Sequence, residues 1–105
     1  MSFPATRLRR LRRTSSLRGL VRESHLSPQD LIQPLFVTTG SGLKEEIGAM
    51  PGIYRYSISE LVEHAGTIHA TGVPAVILFG VPSEKDEVGS GAYDEQGIVH
   101  MALRA

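Results

Sequence analysis

Four histidines, two lysines, two glycine-rich turns and one charged loop are the parts of this 105-residue chain whose side chains could do chemistry. His64 and His69 are five positions apart, about 140° around a helix, whereas two histidines gripping one metal from a helix need i, i+4 spacing. His25 and His100 are isolated, and the chain has no cysteine, so neither a metal site nor a thiol nucleophile is expected within it. Lys44 is followed by Glu45 and Glu46, and Lys85 lies among Glu84, Asp86 and Glu87. A lysine that forms an imine needs a depressed pKa, and neighbouring carboxylates push the other way, so both read as solvated groups.

Gly40-Ser41-Gly42 and Gly89-Ser90-Gly91 do not complete a dinucleotide fingerprint, because Glu45 and Asp94 stand where the third glycine belongs. Neither turn ends in the Lys-Ser/Thr pair of a phosphate-binding loop, so both read as flexible turns. Lys85-Asp86-Glu87, followed by Gly89-Ser90 and Ala92, is more particular. It comes just after an apolar run that reads as a strand, and the C-terminal ends of parallel strands are where α/β folds build their sites. The plain alternative is a solvated loop.

The elements that would position these residues follow from periodicity. Leu31 to Thr38 reads as a buried strand, with Pro34 tolerable because the most apolar part, Leu35-Phe36-Val37, comes after it. Residues 43–56 form a long connection with a turn at Met50-Pro51-Gly52 and an extended piece over Ile53–Tyr56. Ser57-Ile58-Ser59-Glu60 reads as a capping box. The helix it opens is expected to bury Ile58, Leu61, Val62, Ala65, Ile68 and His69, and to stop at Gly72 before Pro74. Ala75-Val76-Ile77-Leu78-Phe79 is apolar throughout, as in a strand covered on both faces of a parallel sheet, and Gly80-Val81-Pro82 is expected to stop it. A polar loop over 83–95 leads to a helix beginning in Gln96–Ala105. Strand, helix, strand and helix start give an α/β chain built on a β-α-β unit.

A two-stranded parallel sheet is not a folding domain, and Met101–Ala105 carries no capping signal, so the chain is expected to be the front of something larger. No apolar run is long enough to cross a bilayer. Arginines interrupt every candidate secretory core.

The balance of 11 basic and 11 acidic residues hides an asymmetry. Residues 1–22 hold seven arginines and no acid, while the remainder holds four basic and eleven acidic residues, so the two parts carry +7 and −7. Leu8, Leu11, Leu17, Leu20 and Val21 have mostly helical spacing, and Thr14, Ser15 or Ser16 could cap a short helix over about 16–23. A run of like charges repels itself, which favours an arm docked on an acidic surface over a free one. Residues 7–22 also have the composition of a mitochondrial transit peptide, although no small-residue linker separates them from the ordered part. An RNA-binding arm is disfavoured by the lack of interleaved aromatic residues.

Five blocks, in order, resemble the porphobilinogen synthase (delta-aminolevulinate dehydratase) family. They are Arg12-Arg13-Thr14 with Leu17-Arg18 and Leu20-Val21-Arg22-Glu23; Leu31-Ile32-Gln33-Pro34-Leu35-Phe36-Val37; Met50-Pro51-Gly52-Ile53-Tyr54-Arg55; Leu78-Phe79-Gly80-Val81-Pro82; and Lys85-Asp86-Glu87 with Gly89-Ser90, Ala92 and Tyr93. The resemblance implies the N-terminal part of a TIM (β/α)8 barrel preceded by an extended basic arm, with the arm at 1–26 and the first two β/α units at 27–105. It implies a lyase that condenses two 5-aminolevulinate molecules into porphobilinogen with loss of water in tetrapyrrole and heme biosynthesis. Such an enzyme would be cytoplasmic, with zinc or magnesium in the complete protein and none held by these residues. The family's two Schiff-base lysines have no counterpart in Lys44 or Lys85, so the segment alone is expected to be inactive. Phe79 matches a position near the substrate pocket, with ordinary barrel core as the plain alternative. Arg9, Arg10, Arg12, Arg13, Arg18 and Arg22 match an arm that embraces neighbours in a homo-octamer, with neither nucleic acid nor membrane as partner. The rival expectations are a small module whose basic arm binds RNA or an acidic protein, and the start of another (β/α)8 enzyme.

Overall fold

The computed structural model describes residues 2–105. Its centre is a four-stranded sheet in the order β2-β3-β1-β4, where β1 is Ile32–Thr38, β2 Lys44–Glu46, β3 Tyr54–Tyr56 and β4 Ala75–Val81. β1 and β4 run parallel in seven residue pairs, from Ile32 opposite Ala75 to Thr38 opposite Val81. This pair is the β-α-β unit that the sequence predicts. β4 runs on through Gly80 to Val81 rather than stopping at Phe79, because both residues still have partners on β1.

The long connection adds the other two strands. β3 pairs parallel to β1 at Phe36–Arg55 and Val37–Tyr56, and β2 returns antiparallel along β3. The turn between them is closed by the Ile47 N–H donating to the Ile53 carbonyl at 2.8 Å and by the Gly52 N–H donating to the Glu46 carboxylate at 3.0 Å. Pro34 is accommodated because the ladder to β3 begins only at Phe36, two residues further on.

Three α-helices accompany the sheet among the described residues: α1 (Ser15–Leu20), α2 (Ile58–Ala70) and α3 (Ile98–Arg104). α2 lies over β1 and β3, and α3 over β4 and β1. Leu35, Val37, Tyr56, Leu61, Ile68 and Ala102 make the core on that face of the sheet. The buried side of α2 is turned from the expected one. Ile58, Leu61, Ala65 and Ile68 face the sheet and the His64 ring stacks on Tyr56 at 4.6 Å, whereas Val62 and His69 are exposed. Gly72 adopts φ +92° just after the last turn, the left-handed conformation that ends a helix without the cost a Cβ would carry.

The expected capping box at Ser57 does not form. Ser57 is fully buried, and its hydroxyl accepts the Leu43 N–H at 3.0 Å, while its own N–H donates to the Leu43 carbonyl at 3.0 Å. The serine is committed to closing the connection, so it does not cap the helix. An acid does close the one-turn helix Pro28–Asp30, where the Asp30 carboxylate accepts the Ser27 N–H at 2.9 Å.

Residues 2–30 contribute nothing buried to the core. They draw the radius of gyration out to 21.5 Å, against about 13 Å for a compact chain of this length. On the other side of the molecule β4 forms the edge of the sheet, with Val76, Ile77 and Phe79 each more than 40% exposed. An apolar edge strand with free backbone groups is a template for pairing. The chain in isolation should therefore self-associate, as read by sedimentation. Ile77→Lys, which puts a charge on that strand, should raise the association midpoint at least about tenfold, equivalent to ~1.4 kcal/mol.

Candidate functional site

Adjacent parallel strands in register present their side chains in rows. One row crosses the sheet on the face away from α2 and α3, through Glu45, Arg55, Phe36 and Phe79. The rings of Phe36 and Phe79 stack with centroids 5.5 Å apart and planes 25° apart. Both residues lie two positions before the last residue of their strands, Thr38 and Val81. The row is thus at the C-terminal edge of the parallel pair, where barrels and open α/β sheets place their chemistry. Phe79 is 46% exposed, unlike the core residues on the opposite face.

Gly80, the next residue, points the other way. A Cβ built there would lie 2.6 Å from a Val99 methyl and 3.0 Å from an Ile98 methyl, so the glycine is what lets α3 sit against β4. On that side a cleft of about 530 Å³ opens between α3 and the loop after β4, with Gly80, Lys85, Asp86, Ser90, Val99 and His100 among its lining. The His100 Nδ1 is buried there without a hydrogen-bond partner. Cleft and Phe79 therefore occupy opposite faces of β4.

The charged loop is ordered by its own aspartate. Asp86 accepts the Ser90 N–H at 2.9 Å and the Ser90 hydroxyl, and with the Gly89 backbone it shapes the one-turn helix Ser90–Ala92. Those bonds, from the Ser90 hydroxyl first and then the Ser90 backbone, hold the carboxyl below the usual aspartate range. Asp86 is thus spent on the loop's shape. Lys85 is exposed, and the Lys44 amine sits 4.6 Å over the Tyr54 ring on the helix-side face. The structure brings neither lysine to Phe79's row.

Among the described residues no group of three His, Asp or Glu side chains is placed to hold a metal. His64 is committed to Tyr56 and His69 faces outward, as their angular separation around the helix requires.

The arm presents its arginines to solvent. Arg10 and Arg12 lie in a one-turn helix flanked by Arg9 and Arg13, Arg18 in α1 donates to the Arg12 carbonyl at 3.0 Å, and Arg22 follows α1. Of the three possible caps it is Thr14 that caps α1, accepting the Leu17 N–H at 3.1 Å; α1 ends at Leu20, short of the expected 23. Sequence reasoning missed Phe36 and Arg55 as members of the Phe79 row. Sliding Leu35-Phe36-Val37 against Leu78-Phe79-Gly80 would have paired the two rings.

A parallel β-α-β unit with an aromatic row at its C-terminal edge and helices on one face defines the class as α/β, an arrangement that the opening of a (β/α)8 barrel shares. The sequence profile of the delta-aminolevulinic acid dehydratase family matches residues 5–105, and the chain belongs to that family. It is 49% identical over 104 residues to the delta-aminolevulinic acid dehydratase of Methanothermus sociabilis, covering 99% of this chain and 32% of the relative. With the enzyme of Halalkalibacterium halodurans it shares 50% over 98 residues, covering 93% and 30%. The crystal structure of delta-aminolevulinic acid dehydratase (porphobilinogen synthase) from Toxoplasma gondii, in complex with the reaction product porphobilinogen, superposes with a TM-score of 0.86 at 31% identity. That match covers 93% of this chain and 28% of the other. The chain thus spans about a third of the length of its curated relatives. The match favours the barrel-enzyme reading over a small binding module.

The Asp86 carboxyl makes a pH prediction. Its pKa is lowered in the folded loop, so the order it confers is complete above the ordinary aspartate range and is lost as pH falls through the depressed value. A carbon-13 titration of Asp86 should show a midpoint below that of a free aspartate. Ser90→Ala, which removes the largest cause, should move the midpoint upward.

Proposed function

We propose that this chain supplies the N-terminal arm (1–26) and the first two β/α units (27–105) of a cytoplasmic delta-aminolevulinic acid dehydratase. The complete enzyme condenses two 5-aminolevulinate molecules into porphobilinogen, with loss of water, in tetrapyrrole and heme biosynthesis. The observation that carries the reading is the family match over residues 5–105, joined to a superposition on a product-bound relative. In this reading Phe79, exposed at the C-terminal edge of the second barrel strand, lines the substrate pocket.

The imine chemistry belongs to lysines elsewhere in the complete polypeptide, because Lys44 stands over Tyr54 and Lys85 lies in the loop on the cleft side. The residues present do not suit a resident zinc or magnesium: the chain has no cysteine, and its histidines and carboxylates are not gathered into a ligand set. What this chain contributes is a wall of the pocket and a means of assembly. Seven exposed arginines within residues 1–22, against seven more acids than bases in residues 23–105, are suited to clasp another subunit in a homo-octamer.

Two measurements test this. A hybrid in which this chain replaces the aligned stretch of the Methanothermus sociabilis enzyme should convert 5-aminolevulinate to porphobilinogen, and Phe79→Ala should raise its KM at least about tenfold, as expected for emptying one side of an apolar pocket. Replacing Arg9, Arg10, Arg12 and Arg13 by glutamate should shift the hybrid in sedimentation from its largest assembly to smaller ones, and high salt should mimic the change.

A further inference from the structure

Phe36 stands beside Phe79 on the neighbouring strand, at the same register, on the same face and at the same distance from the strand ends. The two rings touch in a near-parallel stack, and among the described residues Phe36 is the ring that Phe79 meets. The same-face neighbours of Phe79 along β4 are Ile77 and Val81, both aliphatic, and the residue after it is Gly80, which has no side chain. An aromatic side chain on a strand swings about χ1 and χ2 unless a neighbour fixes it. Here the flat surface that fixes it comes from β1.

We propose that Phe36 is a positioning residue for the substrate pocket: its ring sets the orientation of Phe79, through which it acts on substrate binding. The inference rests on the reading of Phe79 as a pocket wall given above and adds the partner that makes that wall rigid. Stacked aromatic pairs carry a modest energy beyond area burial, enough to select one ring orientation among a few. Preorganisation of this kind improves binding because the side chain is already ordered before the substrate arrives. Phe36 is itself half-buried between β3 and β4, beside Arg55, and is therefore held more firmly than the ring it supports.

The test uses the active hybrid described above and two readouts. Phe36→Leu keeps an apolar side chain of similar reach and removes the ring. It should raise KM about three- to tenfold, the range an aromatic pair carries, with kcat within about twofold, and Phe36→Tyr should restore KM. Because Phe36 acts through Phe79, the double variant F36L/F79L should have the KM of F79L alone rather than the product of the two effects. The ring-proton resonances of Phe79 should move in Phe36→Leu, whether or not the hybrid turns over. Multiplicative KM effects in the double variant, or Phe79 resonances unmoved by Phe36→Leu, would overturn the positioning role. An inactive unsubstituted hybrid would instead count against the assigned reaction, with the resonances still deciding the coupling of the rings.

Discussion

The seven-pair parallel ladder between β1 and β4 is the constraint to which the rest of the molecule answers. Parallel strands must be joined by a crossover, and the crossover here is α2. They must also be covered, because both faces of a parallel sheet are apolar. α2 and α3 cover one face, burying Leu35 and Val37 of β1 against Leu61, Ile68 and Ala102. The other face and the outer edge of β4 have no such cover among the described residues, which is why a strand made entirely of apolar residues is largely exposed. A closed barrel meets both demands, since it converts the open face into an interior and leaves no edge.

The ladder also explains why site and scaffold separate cleanly. Alternation along β4 sends Phe79 to one face and Gly80 to the other. The ring is left 46% exposed, while the missing side chain admits Val99 and Ile98. Two neighbouring residues thus perform opposite tasks, one by presenting a side chain and one by lacking it. The loop that follows is shaped by Asp86 and Ser90 and hangs on the α3 side, next to the cleft and away from the aromatic row.

Much of this is legible from residues alone where a pattern is local. The apolar run at 75–79 and the stop at Gly72-Thr71 follow from backbone and burial rules applied over a few positions. Lys44-Glu45-Glu46 could not be read as a strand, since three charged residues carry no β signal and their pairing comes only from the presence of β3. Ser57 escapes the capping rule for the same reason: its hydroxyl finds Leu43, 14 residues away, a partner invisible to a rule about the next three. The face of α2 is not legible because Val62 is apolar enough to be core, yet it stays 46% exposed. Of the candidate site, Phe79 is legible through resemblance, whereas Phe36 needs the register of two strands.

The Ser57–Leu43 pair has a bearing on the order in which the chain folds. Loop closure becomes more costly as the loop lengthens, and contacts close in sequence form first. The pair closes a loop of 14 residues around the β2–β3 hairpin, while Ile32 and Ala75 lie 43 positions apart. Hairpin and helix can thus assemble as a local nucleus, with β4 joining β1 afterwards. A buried serine that closes a connection would then mark the point from which the β-α-β crossover grows.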